Sequence, residues 1–85
     1  MIKAWTDVAW EDYLWWQNQD RKTLRRINNL IRDIDRNPFE GMGKPERLRF
    51  DLAGLWSRRI DQANRLVYEV TGDTVLFHSC RDRYA

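Results

Sequence analysis

One cysteine, one histidine, two prolines and four glycines are all that 85 residues contain of those types. Cys80 on its own excludes an internal disulfide framework and suits a reducing compartment, so a cytoplasmic protein is expected. No apolar run approaches the length of a membrane span, and MIKAWTDVAW has acidic and aromatic residues where a signal peptide needs an unbroken apolar stretch. No membrane partner is therefore expected. No glycine-rich phosphate loop follows a strand, no Cys/His cluster has metal-ligand spacing, and no Ser/His/Asp set can be assembled, so neither a metal nor another cofactor is expected. His78 and Cys80 lie two apart and could share a strand face as a thiol-imidazole pair, but in a terminal strand that spacing reads more simply as core packing with a satisfied histidine. Repeats, low-complexity tracts and linkers are missing too, which predicts a single domain over 1–85.

What is present is aromatic and charged. Five Trp, three Tyr and three Phe compensate for the limited core of a 10.4 kDa chain, since each ring buries a large apolar area. Ile2 to Trp5 predicts a short strand, and Thr6 an N-cap for a helix from about Asp7 to Gln19, with Asp7 placed to suit the helix dipole. Trp10, Tyr13, Leu14 and Gln17 then form a stripe at helical spacing, open to reading as a base-stacking surface but better read as core. Asp20 caps a second helix carrying Leu24, Ile27, Leu30 or Ile31, and Ile34, which Asn37-Pro38 ends. Its basic residues could touch RNA or a protein, though a solvated face is the favoured reading.

After a proline- and glycine-bearing loop, Pro38 to Glu46, strands are expected at Arg47 to Leu52, Leu55 to Ile60, Arg65 to Val70 and Val75 to Arg81. The predicted fold is α+β: two N-terminal helices packed on a mainly antiparallel twisted sheet. The first 43 residues carry seven charges of each sign, so the whole formal +2 lies in the second half, where Lys44, Arg47, Arg49, Arg58, Arg59 and Arg65 cluster. Alternation puts Leu66, Tyr68 and Val70 on one face of a strand and Arg65, Val67 and Glu69 on the accessible one. Arg81 and Arg83 share parity if the last strand stays regular. A sheet face lined by arginines with a glutamate, Glu46, at its rim is the minimum for metal-free RNA cleavage: a base for the ribose 2′-hydroxyl, cations for the phosphate, and an acid for the leaving oxygen. The plainer alternative is cross-strand pairing of those arginines with Glu69 or Asp82.

NPFEGMGKPERLR, DLAGLWSRRI, RLVYEV and CRDRY, in that order and together with WEDYLWW, resemble the YoeB (Txe) family of bacterial toxins in the RelE superfamily, over essentially the whole chain. The resemblance implies a RelE-like, microbial-RNase-like fold. It implies a type II toxin that acts as a ribosome-dependent mRNA endonuclease, cutting in the ribosomal A site by attack of the 2′-hydroxyl on the adjacent phosphate and so inhibiting translation. The expected partners are a YefM-like antitoxin, mRNA, the ribosome and a second copy of the chain in a homodimer. By resemblance Glu46 is the general base, Arg65 the phosphate-stabilising arginine, Arg59 a further active-site arginine and Tyr84 the terminal tyrosine. Lys44, Arg49 and Arg81 join the RNA- and phosphate-binding set. Where the family ends Cys-Arg-X-His-Tyr, this chain reads Cys80-Arg81-Asp82-Arg83-Tyr84, so Arg83 occupies the histidine position. A toxin scaffold that binds antitoxin and ribosome but no longer cuts is the alternative; a DNA-binding accessory lacks a helix-turn-helix pattern.

Overall fold

The computed structural model describes residues 1–82, in the order β1 (Ile2–Trp5), α1 (Asp7–Gln19), α2 (Arg21–Arg36), β2 (Glu46–Arg47), a 3₁₀ turn (Phe50–Leu52), β3 (Trp56–Arg59), β4 (Arg65–Thr71) and β5 (Thr74–Ser79). The helices form where local chemistry caps them. The Thr6 hydroxyl accepts from the Ala9 amide at 3.1 Å, and one Asp20 carboxylate oxygen accepts from the Lys22 and Thr23 amides. Asp20 also ends α1, its own amide donating to the Trp16 carbonyl, so a single residue makes the corner of the helical hairpin.

The sheet runs β1-β5-β4-β3-β2, with three antiparallel pairings and one parallel pairing between β1 and β5. Ile27, Leu30, Ile31 and Ile34 of α2 and Ala9 and Trp16 of α1 pack on Leu66, Tyr68, Val75 and Phe77. This leaves the other sheet face uncovered by the helices. The α+β class is as expected, but the buried face of α1 is not. Trp10 is 46% exposed and Gln17 is exposed, whereas Ala9 and Trp16 are buried. Trp10 instead makes an edge-on contact with Trp5, which itself packs on Phe77. The expected strand from Arg47 to Leu52 shrinks to Glu46–Arg47, because Phe50 adopts a left-handed φ of +57° and turns the chain. The last strand ends at Ser79 rather than Arg81. Val67 pairs with Ser79 and Tyr68 with Phe77, so His78 is left over in a bulge that shifts the alternation beyond it. Cys80 therefore enters the core while His78 bonds Glu69, which separates the two residues whose spacing suggested a dyad. Burial, with the charge of Asp12 adding to it, pushes the Cys80 thiol up to about 12.

Arg58 is the other departure. Counted among the surface cations by sequence, it has no exposed area and directs all five N–H donors inward: to Tyr68 Oη, to the Asp33 carboxylate at 2.6 Å, and to the carbonyls of Met42, Asn37 and Glu40. The Met42 amide, and then Arg58, hold the Asp33 carboxyl below its ordinary pKa. Removing Arg58 takes this donor from a carboxylate and three carbonyls. Arg58→Ala is expected to cost about 3–5 kcal/mol in urea unfolding. A depressed folded-state pKa stabilises above the ordinary carboxylate range and is lost as pH falls through the folded value. The stability difference between the natural chain and Asp33→Asn should accordingly be present at neutral pH and shrink once the pH drops below about 4, read from acid-dependent urea midpoints.

Candidate functional site

The loop from Asn37 to Pro45 carries Glu46 to the sheet, and the Arg58 guanidinium shapes that loop through its three carbonyl contacts. The Tyr68 hydroxyl adds a fourth, donating to the Pro38 carbonyl at 2.6 Å. Gly43 then lies against β3: its carbonyl accepts from the Arg59 amide at 2.6 Å, and its φ is +77°. A Cβ there would sit 2.9 Å from Leu30 Cδ2 and 3.0 Å from the Arg59 carbonyl oxygen, so only glycine permits this approach. Lys44 and Pro45 follow, and the chain enters β2 at Glu46.

Register decides what faces what. Glu46 pairs with Ser57, Ser57 with Val67, and Val67 with Ser79, forming one row across the sheet. Arg59 pairs directly with Arg65. Alternation puts Glu46, Ser57, Val67, Arg59 and Arg65 on the face away from the helices. Two strand spacings separate Glu46 from β4, roughly 10 Å between backbones, which is a span that a glutamate and an arginine side chain can bridge around a phosphate. Val67 supplies an apolar floor at 3% exposure, where an accessible position was expected; Ser57 beside it is 2% exposed. The Arg59–Arg65 juxtaposition is unfavourable by itself, since like charges directly opposite on antiparallel strands repel. Among the described residues neither guanidinium has an ion pair or a side-chain hydrogen bond to a carboxylate. The expected alternative partner Glu69 bonds His78 instead, 3.1 Å away.

Lys44 and Arg49 are exposed on either side of Glu46. Glu46, Arg47, Arg49, Phe39 and Trp56 border an open groove of about 700 Å³ beside the row. Arg81 is elsewhere. Its guanidinium lies 3.7 Å from the centre of the Trp15 ring, against α1, because the strand that was to carry it along the open face has already ended. Arg83 and Tyr84 lie outside the described residues. The segment leading to them is tied down at every residue. The Cys80 amide donates to Asp12 at 3.0 Å, Trp16 Nε1 donates to the Cys80 carbonyl at 2.7 Å, and the Asp82 amide donates to Asn64 Oδ1 at 2.7 Å. The Asp82 carbonyl accepts from the Arg65 amide at 2.8 Å, so the end of the described chain adjoins the arginine pair. Burial raises the Asp12 carboxyl above its ordinary pKa, with the Cys80 amide and Arg81 pulling the other way.

Sequence reading missed Asp12, Asp33, Asn64 and the inward role of Arg58. Only Arg58 left a signal, since Trp56, Arg58 and Ile60 share the parity of the core side of β3.

The fold, two helices on a five-stranded sheet, is shared with solved toxins of bacterial toxin-antitoxin pairs. The family model described as the YoeB-like toxin of bacterial type II toxin-antitoxin systems matches residues 5–84. The chain belongs to the YoeB toxin family. It is 51% identical to Toxin YoeB of Escherichia coli K12 over 84 residues, covering 99% of this chain and 100% of that one. The YoeB/ParE toxin from Agrobacterium tumefaciens superposes with a TM-score of 0.96 at 45% identity, covering 99% and 100%. YoeB from Staphylococcus aureus, solved as a dimer and in complex with YefM, gives 0.91 at 41% and 40% identity, covering 99% of this chain and 98% of that one.

Asp12 gives a direct test of the tether on the C-terminal segment. Asp12→Ala leaves the part-buried Cys80 amide without an acceptor and is expected to cost about 1–3 kcal/mol, with faster hydrogen exchange at that amide. Asp12→Asn, whose side-chain carbonyl can still accept, should retain most of both.

Proposed function

We propose that this toxin is a ribosome-dependent endoribonuclease that cuts mRNA in the ribosomal A site without a metal ion. The observation that carries the reading is the Arg59–Arg65 pair, two like charges held side by side on an open face, with Glu46 on the strand next to that of Arg59. Such a pair is repulsive until an anion sits between its members, and a phosphodiester is the anion whose transition state gains most from it. Glu46 takes the proton from the ribose 2′-hydroxyl, and the oxygen attacks the adjacent phosphorus. The bond to the 5′-oxygen breaks, leaving a cyclic phosphate and a 5′-oxygen that needs a proton. Arg59 and Arg65 hold the charge that builds on the phosphoryl oxygens, while Lys44 and Arg49 hold flanking phosphates.

The proton for the leaving oxygen is where this chain departs from its family. A histidine at position 83 donates one near neutral pH; the guanidinium of Arg83 does not. Arg83 and Tyr84 then serve phosphate and base binding, and protonation falls to water. That departure favours a second reading, a weakened or inactive toxin that still binds its antitoxin and the ribosome. Either way the chain acts as one domain over 1–85 in the cytoplasm, where mRNA and ribosomes are. Like its S. aureus relative it pairs with a YefM-type antitoxin and with a second copy of itself.

Single-turnover cleavage on mRNA-programmed ribosomes, mapped by toeprinting, separates the readings. Arg83→His is expected to raise cleavage about a hundredfold or more. Equal, fast rates in both forms would move the acid to another residue, and no cleavage in either would leave only the binding reading. In the Arg83→His background, Arg65→Ala should lower cleavage at least about tenfold while the thermal midpoint stays nearly constant, because the side chain packs in no core and its backbone amide keeps its bond to Asp82.

An acidic antitoxin segment should cover the arginine face. On adding a YefM-type antitoxin, hydrogen-exchange protection is expected in β3 and β4 around Arg59 and Arg65; protection confined to α1 and α2 would contradict this.

A further inference from the structure

Phe50 is 91% exposed, the most exposed of the large apolar side chains among the described residues, and it sits at a φ of +57°. A bulky L-residue is strained in the left-handed region, and glycine or asparagine would hold the same backbone more easily. Folding gains nothing evident from the ring in return. The turn itself is firmly made: the Leu52 amide donates to the Arg49 carbonyl at 3.1 Å, the Ala53 amide to the Phe50 carbonyl at 3.0 Å, and the Leu48 amide to the Leu55 carbonyl at 2.9 Å. The ring is thus presented from a built loop. It borders, with Glu46, Arg47, Leu48, Arg49 and Leu52, a groove of about 240 Å³.

An aromatic face, two arginines and the carboxylate assigned as base around one small groove match the two halves of a nucleotide. Bases stack on aromatic rings regardless of sequence, and the sugar-phosphate backbone follows the cations. A protein segment would find little here to bury itself in, since the ring is almost wholly in solvent and most of its neighbours in the groove are charged. We propose that Phe50 is a stacking platform for one nucleobase of single-stranded RNA on the Glu46 side of the site, with Arg49 on the backbone beside it. This deepens the endonuclease reading and rests on it. The residue would help decide which nucleotide step lies over Glu46.

The test separates stacking from cleavage by using a short, fully 2′-O-methylated oligoribonucleotide, which has no 2′-hydroxyl to attack. Fluorescence anisotropy at low salt is expected to show Phe50→Ala weakening binding at least about fivefold and Phe50→Trp restoring it. Phe50→Asn should weaken binding equally while raising the thermal midpoint, a combination that a structural role cannot produce. An abasic site at one position of the oligonucleotide should abolish the difference in affinity between the natural chain and the Phe50→Ala variant. Equal affinity of the natural chain and Phe50→Ala for the intact oligonucleotide, no saturable binding by the natural chain, or a loss confined to the YefM-type antitoxin complex would each overturn the proposal. Phe50-dependent binding together with absent cleavage in the Arg83→His form would sustain the platform and overturn the endonuclease reading instead.

Discussion

Arg58 and Asp33 meet at 2.6 Å beneath the sheet, with the arginine fully buried, and most of what surrounds them follows from the need to satisfy that guanidinium. Burying a charge costs several kcal/mol, which a single carboxylate does not offset; the remaining donors must find acceptors as well. They find them in the Asn37–Met42 loop, which has no regular structure of its own and would otherwise leave its carbonyls to water. The ion pair thus converts a proline- and glycine-bearing loop into a fixed support that connects α2 to β2. Gly41 belongs to the same arrangement, because a Cβ at that position would strike the Asp33 carboxylate.

The support holds β2 in place, an edge strand of only two residues. So short a strand does not hold its place by ladder bonds alone. Glu46 is positioned from behind, by the Arg58-bound loop and the close Gly43–Arg59 approach, and from beside, by its pairing with Ser57. The same β3 residues serve both sides of the sheet. Arg58 points in and is neutralised, while Arg59, its neighbour, points out, stands opposite Arg65 and is exposed. One peptide bond divides a buried arginine from an exposed one, and strand alternation is the reason.

A second support comes from α1. Asp12 and Trp16, one turn apart, take the amide and carbonyl of Cys80, and Trp15 receives Arg81. Asn64, itself held by Asp61 in the β3–β4 turn, takes the Asp82 amide. The segment that precedes position 83 is thus anchored to the helical layer on one side and to the arginine strand on the other.

Much of this was legible in the chain itself. Helix limits at Thr6, Asp20 and Asn37 were readable because caps and proline act over three or four residues, and the outward parity of Arg65 was readable because alternation within one strand is local too. The buried face of α1 was misassigned because several stripes fit a helix rich in aromatics, and only the position of the sheet selects Ala9 and Trp16 over Trp10 and Gln17. Phe50 hid the end of β2, since an alternating pattern does not reveal a left-handed turn, and the bulge at His78 hid the turning of Arg81 toward Trp15. The partner of Arg58 was beyond reach for the same reason: Asp33 lies 25 residues away, and its distance in sequence carries no trace of the 2.6 Å that separates the two in space. By itself the sequence determined the two helices, their capping and the outward side of Arg65 on β4, all set by interactions within a few residues. Which of the chain's charges is buried and which stays exposed was decided only by tertiary structure, because desolvation depends on what packs against a group from elsewhere in the chain.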